Sequence, residues 1–223
     1  RLGANESPPS IISVFIGSQL TRLLDEIVEK VSDRKMTPDE KTELKLGIGK
    51  IPEILLDNTD RNRTSPFAFT GNRFEFRAVG ASANCATALI ALNAAVAHQL
   101  KEFKKSVDKL MDKGVGKDEA IFQLLKKYIQ KSEKIRFEGD GYSDAWKEEA
   151  ARRGLTNIVS VPQSLEQYLT DHSKKILLGS KIFDEKELEG RVEVEFEKFT
   201  KKIQIEARVL GDLAINHIVP TAI

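Results

Sequence analysis

The chain is poor in cysteine, in histidine and in long apolar runs. Its 223 residues hold one cysteine, Cys85, so no internal disulfide forms; a lone thiol at an Ala-rich helix start fits small packing and a reducing, cytoplasmic setting. The longest apolar stretch, 86–97, is interrupted by Asn93 and falls short of the roughly 20 residues that a bilayer span requires, which predicts no transmembrane segment. His98, His172 and His217 are scattered without metal-ligand spacing and read as packed or boundary residues. A net charge of +1 gives no broad electrostatic case for nucleic acid or an anionic membrane. Neither Gly47-Ile48-Gly49-Lys50 nor Gly114-Val115-Gly116-Lys117 has the hydroxyl residue and the upstream glycine of a phosphate loop. Gly139-Asp140-Gly141-Tyr142-Ser143-Asp144 lacks the alternating acidic ligands of a calcium loop. All three read as turns.

What is present describes an ordinary globular chain, 40% hydrophobic and 31% charged, long enough for one large domain or two small ones. Residues 11–16 are β-branched and aromatic between Pro9 and Gly17, which predicts a short buried strand. Leu20, Leu23, Leu24, Ile27, Val28 and Val31 recur at helical spacing, and Thr37-Pro38-Asp39-Glu40 suits another helix start. Beyond Gly80 the pattern is helical. Ser82 or Asn84 caps a helix that is apolar on every side from 86 to 97, as for one buried among neighbours, then narrows to Leu100, Phe103, Val107, Leu110 and Met111 and stops at Gly114. A second helix through Ile121, Leu124, Leu125, Tyr128 and Ile129 pairs with it as an antiparallel hairpin. Ser143 caps a short helix closed by Gly154. Ser164 with Gln167, and Asp184 with Glu187, form capping-box patterns; the last opens a long helix that Pro220 ends.

The stretch 60–80 stands apart. Arg73, Phe74, Glu75, Phe76 and Arg77 alternate with a period of two, so Phe74 and Phe76 are expected to face a core. Arg73, Glu75 and Arg77 then share the other face, about 7 Å apart at roughly 3.4 Å per residue. Such a face is by itself the pattern of a solvated strand. Two guanidiniums around a carboxylate also suit an anionic ligand that arrives with a divalent cation. Arg61 and Arg63 add positive charge upstream.

Asn62-Arg63-Thr64-Ser65, then Arg73-Phe74-Glu75-Phe76-Arg77, then Ser82-Ala83-Asn84 resembles the C-terminal active-site signature of glutamine synthetases, and the run from Phe67 to Gly80 resembles the type III branch. Arg1-Leu2 with Asn5-Glu6-Ser7-Pro8 is similar to the family's flexible-loop motif. The resemblance implies an α+β, predominantly α chain: a few strands of an antiparallel active-site sheet, followed by a helical bundle. It implies a C-terminal part of the catalytic domain over 1–80, with a helical insertion at about 17–59, and a helical C-terminal region over 81–223. The implied reaction joins glutamate and ammonia with ATP through γ-glutamyl phosphate, with Mg²⁺ or Mn²⁺. Carried over, Arg1 and Arg77 bind substrate, Glu6 and Arg63 are catalytic, Arg73 holds nucleotide phosphates and Glu75 ligates metal. Ala68 stands where most members carry a further arginine, and Thr70 replaces a basic residue. The family's other metal carboxylates and its glutamate-binding stretch have no match here. The chain is therefore expected to be a C-terminal piece of a larger cytoplasmic enzyme, inactive alone, whose parent forms stacked hexameric rings. The competing reading is a non-catalytic helical assembly or interaction module.

Overall fold

The computed structural model describes residues 11–30, 65–70, 73–77 and 84–222. The expected helix start at Thr37, the glycine turn at Gly47, Ser82 and most of the insertion lie outside them. Among the described residues, three short strands, β1 (Val14–Phe15), β2 (Phe67–Phe69) and β3 (Phe74–Phe76), form one sheet in that order. Strand β3 runs antiparallel to β2, with Phe67 opposite Phe76, Ala68 opposite Glu75 and Phe69 opposite Phe74. Strand β1 is parallel to β2, pairing Val14 with Phe67 and Phe15 with Ala68, so the sheet is mixed. A parallel pair requires a crossover, and α1 (Ser18–Lys30) begins it. The strand expected over 11–16 shortens because burial there alternates: Ile11, Ser13 and Phe15 are buried while Ile12 is 63% exposed.

Helix α2 (Ala86–Met111) opens where the Asn84 side-chain oxygen accepts from the Ala86 N–H at 2.8 Å. It gives way to a turn at Gly114, whose φ of +85° favours glycine. Helix α3 (Lys117–Ser132) then returns against it. Phe103 meets Tyr128 at a ring separation of 5.6 Å, while Val107, Ala120 and Leu124 form the apolar seam of the hairpin. The first half of α2 corrects an expectation. It is not enclosed: only Ala94 is buried there, and Leu89, Ile90 and Val96 are exposed. Among the described residues, the apolar cluster reaching that half is the one joining Ala94 to Leu177 and Leu188.

Helix α4 (Asp144–Arg152) is capped as expected, the Ser143 hydroxyl accepting from the Trp146 N–H, and Gly154 closes it at φ +72°. Ser164 does not cap the next helix. The chain enters α5 (Val161–Glu166) one turn earlier, through Ser160 and Pro162, and proline is well placed in a first turn because its missing N–H would be unpaired there. Ser164 instead donates back to the Val161 carbonyl at 2.7 Å. A 3₁₀ turn (Gln167–Leu169) follows, then extended backbone at Thr170, whose hydroxyl accepts from Ser173 N–H to start α6 (Asp171–Leu177).

Asp184 and Glu187 form the reciprocal capping box at the start of α7 (Glu185–Leu213). Pro220 does not end that helix. A π-helical turn (Ala214–Ile218) links it to α8 (Val219–Ala222), with the Val219 N–H reaching back to the Ala214 carbonyl. This wider turn accommodates a residue that lacks an N–H and crowds the preceding turn.

Among the described residues, four apolar clusters hold these parts together. One joins Ile27 of α1 to Phe122 and Ile129 of α3, and another joins Ile11 to Trp146 and Ala150 of α4. Strand β1 is tied to the helices by backbone as well: the Phe137 N–H donates to the Val14 carbonyl at 3.1 Å.

Candidate functional site

The strand register decides which face of the sheet carries chemistry. Residues opposite one another share a face, so Phe67, Phe69, Phe74 and Phe76 lie on one side, and Phe15, Ala68 and Glu75 on the other. The aromatic side is the more open. Phe74 and Phe76 are 48% and 39% exposed, whereas Phe15 and Ala68 are 5% and 1%. The expectation that the phenylalanines face a core is therefore reversed among the described residues. Their stabilisation is lateral: Phe74 stacks on Phe67 at 4.7 Å between ring centroids and tilts against Phe69 at 5.1 Å. Alternation places Arg73 and Arg77 on the side of Glu75, which is the side with buried neighbours.

Two backbone bonds extend the β2–β3 ladder beyond its strands, Thr70 N–H to Arg73 O at 2.9 Å and Arg77 N–H to Pro66 O at 2.7 Å. Both arginines are thus held at their backbones by the pairing that sets Glu75. Behind them, the buried Ser65 hydroxyl lies 2.8 Å from the Ser13 carbonyl and 3.0 Å from that of Phe67. This pins the start of β2 to the start of β1.

Arg77 Nη2 pairs with Glu75 Oε2 at 3.1 Å, the two side chains being 25% and 41% exposed. The other terminal nitrogen, Nη1, is buried without a hydrogen-bond partner. An unsatisfied buried donor costs about 1–3 kcal/mol, and an anionic oxygen is the acceptor that would remove the cost. Ala68, directly opposite Glu75, is closed off almost completely. A long basic side chain at 68 would have to displace that packing.

Arg1, Glu6 and Arg63 lie outside the described residues; of the six expected site residues, Arg73, Glu75 and Arg77 are described, and they share one face of the sheet. Among the described residues no group of three His, Cys, Asp or Glu is placed to hold a metal ion, and Glu75 stands as a single carboxylate already shared with Arg77. Sequence reasoning takes Ser65 only as part of the Asn62–Ser65 motif; a serine between Thr64 and Pro66 carries no local sign that a carbonyl 52 positions away is its partner.

The glutamine synthetase C-terminal domain family model matches residues 120–223. Over all 223 residues the chain is 70% identical to a glutamine synthetase of Bacteroides fragilis, of which it covers 31%. It is 40% identical over 220 residues to a type-3 glutamine synthetase of Dictyostelium discoideum, an alignment covering 99% of this chain and 29% of that relative. Identity to a glutamine synthetase of Butyrivibrio fibrisolvens is 34%, covering 96% of this chain and 29% of that protein. The chain spans less than a third of the length of these curated relatives.

Proposed function

The chain belongs to the glutamine synthetase family, and we propose that it is the C-terminal part of a type III-like enzyme, supplying one wall of an active site that joins glutamate and ammonia with ATP. The observation that carries this reading is the charged face of β3: Arg73, Glu75 and Arg77 on the side of the sheet with buried neighbours, with Arg77 Nη1 lacking an acceptor. Phosphoryl transfer depends on placing positive groups where negative charge accumulates, and fixed guanidiniums do this without reorganising during the reaction.

In this reading Arg73 grips the nucleotide phosphates. Arg77 faces the glutamate or the transferred phosphoryl group, and Arg63 contacts the same group. Arg1 holds the glutamate carboxylate. Glu6 helps deprotonate ammonium and shields γ-glutamyl phosphate from water. Glu75 would ligate Mg²⁺ or Mn²⁺, a cation that lowers the charge barrier between phosphate and nucleophile. One carboxylate does not hold such a cation, so its remaining ligands would come from outside the described residues. The same shortfall underlies the proposal that the chain alone is inactive; that the parent is a cytoplasmic oligomer of stacked hexameric rings rests on the family resemblance alone. An assembly role for the helical region is supported by exposed apolar residues on α2 and α7, including Leu100, Ile205, Val209 and Leu210.

Glu75→Ala in the full-length parent separates the enzymatic reading from a purely structural module. The expected loss of glutamine formation is about 100-fold or more. Fold stability is expected to change by only about 1–2 kcal/mol, because the ion pair that is lost is partly exposed. Unchanged turnover in a folded variant rejects the reading.

A further inference from the structure

A second charged site lies away from β3. A cleft of about 360 Å³ is bounded by Thr21 and Asp25 of α1, by Glu133, Lys134 and Arg136 after α3, and by Glu149 of α4 and Arg153 at its C-terminal cap. Most of these groups are committed to one another. Glu149 accepts from Arg153 Nε at 2.7 Å and pairs with Arg152 at 2.8 Å. Arg153 Nη1 also donates to the Arg136 carbonyl at 2.9 Å, and its guanidinium lies over the Trp146 ring at 5.4 Å. The Thr21 hydroxyl donates to Glu138.

Arg136 is the exception. Its side chain is only 10% exposed, and its one charged partner among the described residues is the 58% exposed Asp25, with Nη1 to Oδ1 at 3.5 Å. Its Nε is buried and has no hydrogen-bond partner. Its backbone cannot drift to improve this, since Arg136 bridges Val14 of β1 and its carbonyl is held by Arg153. A guanidinium fixed in place, largely desolvated and weakly paired is a poor structural element and a good receptor for a planar anion, because its fork matches a carboxylate in two parallel bonds. Asp25, Glu133 and Glu149 around the rim disfavour a dianion.

We propose that this cleft binds a small monocarboxylate, gripped by the Arg136 guanidinium as the ligand displaces Asp25. Lys134 at the rim adds a second positive charge. The site is independent of the reaction proposed for β3 and uses none of its residues.

Propionate is the probe, followed by saturation-transfer difference NMR on the full-length protein at low ionic strength, with inorganic phosphate as competitor. Saturable propionate binding is expected. Arg136→Gln should weaken it about 10- to 100-fold, the range for losing hydrogen bonds to a charged group. Asp25→Asn, at an exposed position that leaves packing intact, should tighten it severalfold by removing the competing carboxylate. Wild-type affinity in a folded Arg136→Gln variant overturns the proposal, as does phosphate binding in preference to propionate. Should Arg136→Gln not fold, Asp25→Asn decides alone: affinity no tighter than wild type overturns the assignment.

Discussion

Replacing Trp146 by alanine tests whether α4 is the clamp that holds the segment before β1 against the helices. Trp146 is 2% exposed, stacks on Phe137 with ring centroids 3.7 Å apart, and shares a cluster with Ile11 and Ala150. An aromatic side chain of this kind removes about 150–250 Å² from water, worth about 4–6 kcal/mol as an upper estimate at 25 cal/mol per Å². Alanine in its place leaves a cavity that α4, fixed by its Ser143 cap, cannot fully collapse, so the expected cost is about 3–5 kcal/mol. With a urea dependence of about 2 kcal/mol per M, the midpoint should fall by about 2 M. Trp146 is the chain's only tryptophan, so far-UV circular dichroism is the appropriate signal. A fall of less than about 0.5 M would refute the clamp and the burial on which it rests.

Burial, and secondarily the Glu195 charge, raise the Tyr168 hydroxyl above its ordinary pKa of 10.0. An acid whose folded pKa is raised contributes stability that is complete below its unfolded pKa and is lost as pH climbs through the folded value. Wild-type stability should therefore fall more steeply above about pH 10 than that of Tyr168→Phe, and parallel pH profiles of the two would contradict the assignment. Asp184→Ala removes the side chain that accepts from the Glu187 N–H at 2.8 Å and leaves the reciprocal bond at 3.1 Å, donated by the backbone N–H of residue 184, without its counterpart. About 1–2 kcal/mol should be lost, read by thermal unfolding, with amide exchange accelerated in the first turn of α7.

The parts of this molecule legible in its sequence are those whose cause is local. The Asp184–Glu187 box, the Ser143 cap and the turn at Gly114 depend on residues within a few positions of each other. The hairpin of α2 and α3 follows from two apolar stripes and a short connection. Where local signals competed, the sequence misled: Ser164 with Gln167 has capping-box spacing, yet Ser160 followed by Pro162 starts the helix earlier. Pro220 read as a stop, but a π turn absorbs it. The Arg136 cleft was invisible because Asp25 and Arg136 are 111 positions apart and neither sits in a motif.

The reversed strand face shows why alternation alone could not orient the candidate site. A period of two fixes which residues share a side and leaves open which side is covered. That choice is made by pairing: Ala68 stands between Phe15 on β1 and Glu75 on β3, and the Ser65–Ser13 bond locks the relation. Strand β1 is in turn set by Phe137 and Ile11, and α1 by Phe122 and Ile129, so two of the apolar clusters straddle Gly80. The helices beyond Gly80 are therefore joined to the charged face through β1. If they tilt, β1 moves with them, and the two-residue ladder it shares with β2 carries the displacement to Ala68 and its neighbour Glu75. On this account, substitutions at Phe122 or Trp146 should disturb Glu75 and Arg77 without touching either, whereas substitutions on the exposed stretch of α7 should not.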